Sequence, residues 1–164
     1  MDLNQNIKDS VLNTLKITNE AVNSLEKINP KDFSKAIEAL LQCPGKIVVT
    51  GMGKSAIIAS KIVATLNSTG SPAVYMHAAD AIHGDLGILQ KDDVVICISN
   101  SGNTPEIKTL IPHLIREDNT LIGISSNPDS ALVKASHHPL VYHYDKEACP
   151  HNLAPTTSTT LQLI

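Results

Sequence analysis

Aromatic side chains are scarce in this sequence of 164 residues, which contains one Phe, three Tyr and no Trp. Proteins that bind single-stranded nucleic acids stack the bases on aromatic rings, so this composition is unfavourable for that function. Basic residues are not in excess either, because 13 Lys and Arg stand against 16 Asp and Glu, for a net charge of −3. We therefore expect no nucleic-acid partner, since such proteins present a positively charged surface.

Cysteines and long apolar runs are also few. Cys43, Cys97 and Cys149 are far apart and form no CxxC pair, which favours a reduced, cytoplasmic setting. Cys97 lies in an apolar run and is expected to be buried. No apolar run approaches the ~20 residues of a membrane span, and the opening MDLNQNIKDS lacks the apolar segment of a signal peptide. We expect no membrane partner.

Short apolar runs alternate with helical patterns along the chain. The predicted strands are residues 47–49, 73–76, 94–98, 121–124 and 140–144, and the predicted helices are 3–28, 31–42, 54–68, 104–117, 129–136 and one that begins at 159. This alternation predicts an α/β fold with a parallel, doubly wound sheet. We place a helical extension at residues 1–34 and the α/β domain at 35–164. The last helical pattern is too short to cover a sheet, so we expect a longer polypeptide.

The loop after the first predicted strand is rich in glycine. Gly51, Gly53 and Ala56 satisfy the GxGxxA pattern of dinucleotide-binding proteins, but His77 stands where strand two should end in an acidic residue. A P-loop would need glycine at Val48. A phosphate site at the start of the following helix and a simple tight turn remain the alternatives. Lys54, in this loop, is a candidate ligand contact.

The loop after the third predicted strand, residues 99–104, reads SNSGNT. Its hydroxyls and the backbone N–H groups at a helix start predict a phosphate site. Capping of the helix by Ser101 or Thr104 is the alternative, but it would explain only one hydroxyl. Glu106 follows in the first helical turn, where a carboxylate suits the helix dipole and lies beside the predicted ligand.

Two further segments contain candidate catalytic residues. His83 precedes Gly84 and Asp85 in a predicted loop. His83 and His77 are two candidate metal ligands without a third, so no metal is expected. Glu147 follows the fifth strand, where a general base would meet the carbons of a ligand. A solvent-exposed loop carboxylate is the alternative for Glu147.

Four separated motifs, taken together, resemble the sugar isomerase (SIS) domain and, within it, the arabinose-5-phosphate isomerase group. They are GMGKSAIIASKIVATLNSTG, AADAIHGDLGIL, SNSGNTPEI and KEACPHNLAPTTSTT, and the resemblance covers about residues 35–164. It implies a three-layer α/β/α sandwich around a five-stranded parallel sheet. It also implies interconversion of D-ribulose 5-phosphate and D-arabinose 5-phosphate, which feeds Kdo and lipopolysaccharide synthesis.

The resemblance also implies a set of site residues. The catalytic residues implied are Lys54, His83, Glu106 and Glu147. The substrate and phosphate contacts implied are Gly53, Ser55, Ser99, Asn100, Ser101, Gly102, Thr104, Thr156, Thr157 and Ser158. Family members are typically homotetramers with sites near subunit interfaces, so His83 is expected to serve a neighbouring subunit. The family uses a further histidine beyond the LAPT segment and many members carry CBS domains; neither is present in these 164 residues.

The implied reaction needs a base to remove the proton alpha to the sugar carbonyl, giving a cis-enediol. Glu147 is the first candidate for this transfer and Glu106 the second, and burial is expected to raise the pKa of such a carboxylate toward neutrality. Lys54 and His83 would stabilise the enediolate oxygens. The substrate is a small sugar phosphate, no cofactor is required, and a sugar nucleotide is a candidate inhibitor. The alternative function is a regulatory SIS domain that binds a sugar phosphate without catalysis.

Overall fold

The computed structural model describes residues 2–116 and 119–164. Within these ranges the strands are β1 (Ile47–Gly51), β2 (Ala73–His77), β3 (Val94–Ile98), β4 (Thr120–Ser125) and β5 (His138–Val141). The helices are α1 (Leu3–Ser24), α2 (Pro30–Leu41), α3 (Lys54–Ser68), α4 (Ala78–Ile82), α5 (Pro105–Leu114), α6 (Ala131–Ala135) and α7 (Thr157–Leu163). Short 3₁₀ turns cover Leu25–Lys27 and Asp85–Ile88.

The five strands form one parallel sheet in the order β2-β1-β3-β4-β5, which confirms the predicted fold class. β1 and β3 are neighbours in register, with Gly51 opposite Ile98 at their carboxyl ends. The strand order reverses between them, since β2 lies on one side of β1 and the later strands continue on the other. In open α/β sheets ligands bind at the carboxyl ends beside such a reversal.

Helices cover both faces of the sheet, as the three-layer prediction requires. The central strands are buried at every position, and their side chains alternate between two apolar clusters. Val48 and Val95 pack with Leu110 of α5 on one face. On the other face, Val49 and Ile96 belong to the cluster that contains Ala36 of α2 and Ala59 of α3.

The long first helix packs on the domain only through its second half. Ala21 joins Tyr142 and Leu161 in a small third cluster that holds α1 against α7. The large apolar side chains from residue 3 to residue 15 are all at least 54% exposed: Leu3, Ile7, Val11, Leu12 and Leu15. The boundary predicted between residues 34 and 35 falls within α2, and the division into extension and domain stays a prediction.

Several predicted element bounds are wrong. The fifth strand begins at His138 and ends at Val141. It can include Pro139 because it is an edge strand, where the missing N–H is tolerated. The first helix gives way to a 3₁₀ turn after Ser24. The helix predicted for residues 129–136 covers Ala131–Ala135, and Ser130 caps it by accepting a hydrogen bond from the Val133 N–H.

The remaining differences concern residues 78–88 and 104–117. The segment around His83, predicted as a loop, contains α4 and a 3₁₀ turn. The helix predicted for residues 104–117 ends at Leu114, and its last predicted residue lies outside the described residues. Cys97 is fully buried, as expected. No helix in the described ranges combines the length and the apolar character needed to cross a bilayer.

Candidate active site

A cleft of about 380 Å³ lies at the carboxyl ends of β1 and β3. The loops that follow these two strands form two of its sides. Pro155 and helix α7 form the third side. Its lining residues are Met52, Gly53, Lys54, Ser55, Ser99, Asn100, Ser101, Thr104, Pro155, Ser158, Thr159 and Gln162. The two loops that the sequence marks as phosphate-binding therefore meet in one cleft.

Two helices begin at this cleft with their first N–H groups uncapped by side chains. Gly53 is the N-cap of α3 and has φ 60, a conformation that glycine adopts without strain. Thr104 is the N-cap of α5, and Pro105 follows at the first helical position. No side-chain hydrogen bond caps either helix among the described residues. Free N–H groups at helix starts bind anions such as phosphate.

The hydroxyl of Thr104 is the clearest sign that the cleft binds a polar ligand. Its Oγ1 is buried and has no hydrogen-bond partner in the part of the chain that the structure describes. Ser101 Oγ instead accepts from the Asn103 N–H at 3.3 Å, so the capping alternative holds for neither hydroxyl. A buried hydroxyl without a partner costs free energy, and a bound ligand would remove that cost.

The loop of residues 99–104 is fixed from behind by α6. Gly102 has φ +60, and a Cβ there would overlap the Ser130 hydroxyl, so only glycine fits. The Gly102 carbonyl accepts from the Leu132 N–H, and Asn103 Oδ1 accepts from the Ala131 N–H, both at 3.1 Å. Gly102 thus shapes the loop without lining the cleft.

Lys54 supplies positive charge at the entrance of the cleft. It is the first residue of α3, it is exposed, and it lines the cleft. Within residues 2–116 and 119–164 it forms no ion pair with an acidic side chain. A phosphoryl group is therefore free to pair with it.

Glu147 lies behind the cleft, buried, with its carboxylate already occupied. Oε2 accepts from the Thr156 N–H at 2.8 Å, the Thr156 hydroxyl at 3.1 Å and the Ser158 N–H at 3.2 Å, and Oε1 accepts from the Tyr144 hydroxyl at 3.2 Å. Burial raises the pKa of Glu147, but the hydrogen bonds from Ser158 and Thr156 outweigh it and leave the pKa below its ordinary value. The expected rise toward neutrality is therefore wrong.

A chain of hydrogen bonds that the sequence did not reveal joins Glu147 to the cleft. The Tyr144 hydroxyl accepts from Asn100 Nδ2 at 3.0 Å, and Asn100 Oδ1 accepts from the Tyr142 hydroxyl at 2.8 Å. The Tyr142 hydroxyl in turn accepts from Gln162 Nε2 at 2.8 Å. Tyr142 and Tyr144 were predicted as strand residues, and Gln162 as part of a helix. Two of the three tyrosines of this aromatic-poor sequence lie in this chain of hydrogen bonds, and their proximity in sequence was the available signal.

The other predicted catalytic residues lie around the cleft rather than in it. Glu106 is half-buried in the first turn of α5, two residues beyond Thr104, and makes no hydrogen bond or ion pair that involves its side chain among the described residues. His83 is exposed at the end of α4. His77 Nδ1 lies 3.6 Å from an oxygen of Asp80. The described residues contain no group of three His, Cys, Asp or Glu side chains arranged to hold a metal.

The structure thus brings together most, but not all, of the predicted site. Of the predicted residues, those that line the cleft are Gly53, Lys54, Ser55, Ser99, Asn100, Ser101, Thr104 and Ser158. Those outside its lining are His83, Gly102, Glu106, Glu147, Thr156 and Thr157. Thr157 is buried, with its hydroxyl accepting from the Ala148 N–H, and Thr156 is the N-cap of α7.

Comparison with known proteins agrees with this geometry. The family model of the SIS domain matches residues 40–164, and the chain belongs to this family. It is 48% identical to arabinose 5-phosphate isomerase KdsD of Pseudomonas aeruginosa over 166 residues, covering 100% of this chain and 51% of that protein. The enzyme of the same name from Yersinia pestis is 50% identical over 150 residues, which cover 92% of this chain and 46% of that protein.

A solved structure provides a third comparison. The Escherichia coli CFT073 protein c3406, solved in complex with arabinose 5-phosphate, superposes with a TM-score of 0.88 at 39% identity, covering 99% of this chain and 86% of that chain. The present chain spans about half the length of the curated relatives that it matches.

Proposed function

We propose that this chain binds a pentose 5-phosphate in the cleft and interconverts D-arabinose 5-phosphate and D-ribulose 5-phosphate. The observation that carries the proposal is the cleft between the β1 and β3 loops, with two uncapped helix starts, Lys54 and the unpartnered Thr104 hydroxyl. Relatives that share nearly half of its residues are named for this activity. A place at the start of Kdo synthesis belongs to the same proposal.

The phosphate would be held by the N–H groups at the starts of α3 and α5, with Lys54 as the counter-charge. A base then removes the C2 proton of the aldose, the carbonyl oxygen at C1 gains a proton, and a cis-enediol forms. Return of a proton to C1 and loss of the proton from the C2 hydroxyl give the ketose, so no redox cofactor is consumed. His83 is proposed to act on the site of a neighbouring subunit.

The two carboxylates differ in how free they are to move a proton. Both oxygens of Glu147 already accept hydrogen bonds, whereas Glu106 makes none in the described parts of the chain. We therefore assign the proton transfer to Glu106 and the positioning of residues 156–158 to Glu147, reversing the order expected from the sequence. Glu106→Gln should lower turnover by about 10²-fold with little change in affinity. Glu147→Gln should weaken affinity and stability together.

Turnover in deuterium oxide tests the proposal. An enediol whose protons exchange with solvent should give ribulose 5-phosphate carrying deuterium at C1 when the chain converts arabinose 5-phosphate, and mass spectrometry detects the label. Conversion without deuterium would contradict a solvent-exchanging enediol. Binding of the sugar phosphate without conversion would indicate the regulatory alternative.

The remaining expectations stay predictions. They are the homotetramer, the cytoplasmic location, inhibition by a sugar nucleotide and activity without a metal or cofactor. The exposed apolar side chains of residues 3–15 in α1 support self-association, because a surface of this kind is normally covered by another chain.

A further inference from the structure

Gln162 lines the cleft and has an unused hydrogen-bond acceptor. The residue is only 3% exposed, and its Oε1 has no partner within the described part of the chain. Gln162 also borders an apolar groove on the other side. The one tyrosine hydroxyl in that groove, Tyr142, already donates to Asn100. The cleft is therefore where a donor for this oxygen would come from.

The orientation of the Gln162 amide follows from the hydrogen-bond chain behind it. An ionised Glu147 only accepts, so the Tyr144 hydroxyl donates its proton to it and must accept from Asn100 Nδ2. Asn100 Oδ1 is then left to accept from the Tyr142 hydroxyl, which in turn accepts from Gln162 Nε2. At each contact, the role of donor or acceptor is therefore fixed by the contact before it. The amide oxygen of Gln162, Oε1, is left at the end of the chain as an acceptor.

We propose that Gln162 is a specificity-determining residue whose Oε1 accepts a hydrogen bond from a hydroxyl group of the bound sugar, and that Tyr142 positions it. The proposal rests on the proposed function, since it takes a sugar phosphate as the ligand. The phosphoryl group of a sugar phosphate carries no donor as the dianion, so it is not the partner of an acceptor oxygen. Gln162 therefore distinguishes a sugar phosphate from an inorganic dianion that has no hydroxyl group, such as sulfate.

Calorimetric titrations with two probes, arabinose 5-phosphate and sulfate, test this inference, because sulfate has the shape of a phosphoryl group and carries no donor. Gln162→Met keeps the length of the side chain and removes its polar atoms. Loss of one neutral hydrogen bond should weaken arabinose 5-phosphate binding by about five- to tenfold and leave sulfate binding unchanged within about twofold.

Tyr142→Phe provides a second variant that leaves Gln162 itself intact. It keeps the ring in its cluster and removes the hydroxyl that orients the Gln162 amide, so it should weaken the sugar phosphate selectively, by a smaller factor. Gln42→Met, at an exposed position, and Tyr75→Phe, on the edge strand β2, are the matched controls. Both should bind the two probes as the wild type does.

The outcomes separate this inference from the proposed function. If Gln162→Met and Tyr142→Phe bind arabinose 5-phosphate with the same affinity as the wild type, the inference is overturned. The proposed function is then left standing. Equal weakening of both probes would also overturn it, because Gln162 would then support only the fold of the cleft. A wild-type chain that binds neither probe would remove the proposed function and this inference with it.

Discussion

At the scale of single residues, the site is marked by polar atoms that the fold leaves without partners. Thr104 and Gln162 line the cleft, and their side-chain atoms Oγ1 and Oε1 are buried and have no hydrogen-bond partner among the residues that the structure describes. Glu147 and Thr157, by contrast, are buried with their polar atoms engaged. Unpaired groups cost stability in the absence of ligand. Among the residues that line the cleft, we therefore expect these two atoms to bind the ligand.

Replacement of Thr104 by valine separates binding from stability. The shape of the side chain is kept and a buried, unpartnered hydroxyl is removed, so we expect the free energy of unfolding to stay constant or to rise by up to about 1 kcal/mol. Affinity for arabinose 5-phosphate should fall by about fivefold. Denaturant unfolding and calorimetry measure the two effects.

Thr157→Val is the matched control for this experiment. Its hydroxyl accepts from the Ala148 N–H at 2.9 Å, so the same substitution leaves a buried donor unpaired and should lower the free energy of unfolding by about 1–2 kcal/mol. A loss of stability in Thr104→Val as large as that in Thr157→Val would show that the Thr104 hydroxyl has a structural partner.

At the scale of elements, an ion pair between a buried Asp93 and a partly exposed Lys46 joins the beginnings of the two central strands. Lys46 precedes β1 and Asp93 precedes β3, and Lys46 Nζ lies 2.6 Å from Asp93 Oδ2. The backbone N–H groups of Lys46 and Gln90 also donate to this carboxylate. Burial raises the pKa of Asp93, but these hydrogen bonds and the charge of Lys46 outweigh it and lower the pKa below its ordinary value.

This ion pair predicts a pH-dependent stability. A carboxylate whose pKa is lowered by folding contributes stability above its unfolded pKa of about 3.9, and that contribution is lost as the pH falls through the folded value. Asp93→Asn should lower the free energy of unfolding by about 2 kcal/mol at pH 7. The difference in free energy of unfolding between the wild type and Asp93→Asn should disappear as the pH is lowered below about 4.

The exposed pair of Asp129 and Lys134, 3.6 Å apart, offers the control for the same substitution. Asp129→Asn should change the free energy of unfolding by less than about 0.5 kcal/mol at pH 7. Urea unfolding at a series of pH values measures both variants. If the free energy of unfolding of Asp93→Asn differs from that of the wild type by the same amount down to acidic pH, the assigned ion pair is contradicted.

Elements were predicted from the sequence more reliably than side-chain interactions. The apolar runs at β1 and β3 and the periodicity of α5 specify the sheet and its covering helix, because burial on both faces leaves few alternatives. The loops after β1 and β3 were predictable as well, since parallel topology brings them to one edge. The roles of Tyr142 and Gln162 were not predictable, because they depend on hydrogen bonds between segments that are distant in sequence. The lowered pKa of Glu147 depends on such contacts too.

At the scale of the whole molecule, residues 3–15 of α1 have no counterpart to pack against within the described chain. Five apolar side chains of this segment are at least 54% exposed, whereas Ala21, nearer the end of the helix, is buried against the domain. We expect residues 3–15 to lie in a contact between copies of the chain. The predicted homotetramer would bury it.

Charged substitutions among the exposed apolar side chains of α1 should dissociate the assembly and preserve the fold. The double variant Val11→Asp with Leu15→Asp places two charges on side chains that are each 54% exposed, so the domain loses little packing. Light scattering coupled to size exclusion should show a tetramer for the wild type and a smaller species for the variant. Leu41→Asp, at a side chain that is 81% exposed, is the control. A wild-type monomer would contradict the expectation.

The central claim is that a sugar phosphate binds where the loops after β1 and β3 meet. The most direct test is to identify the backbone amides whose signals respond to the ligand. Titration of the isotope-labelled chain with arabinose 5-phosphate, followed by two-dimensional NMR, should shift the amides of residues 53–56 and 99–104. The amides at the amino ends of β3 and β4, at the opposite edge of the sheet, should remain unchanged. Shifts confined to that opposite edge, or no shifts at all, would contradict the account.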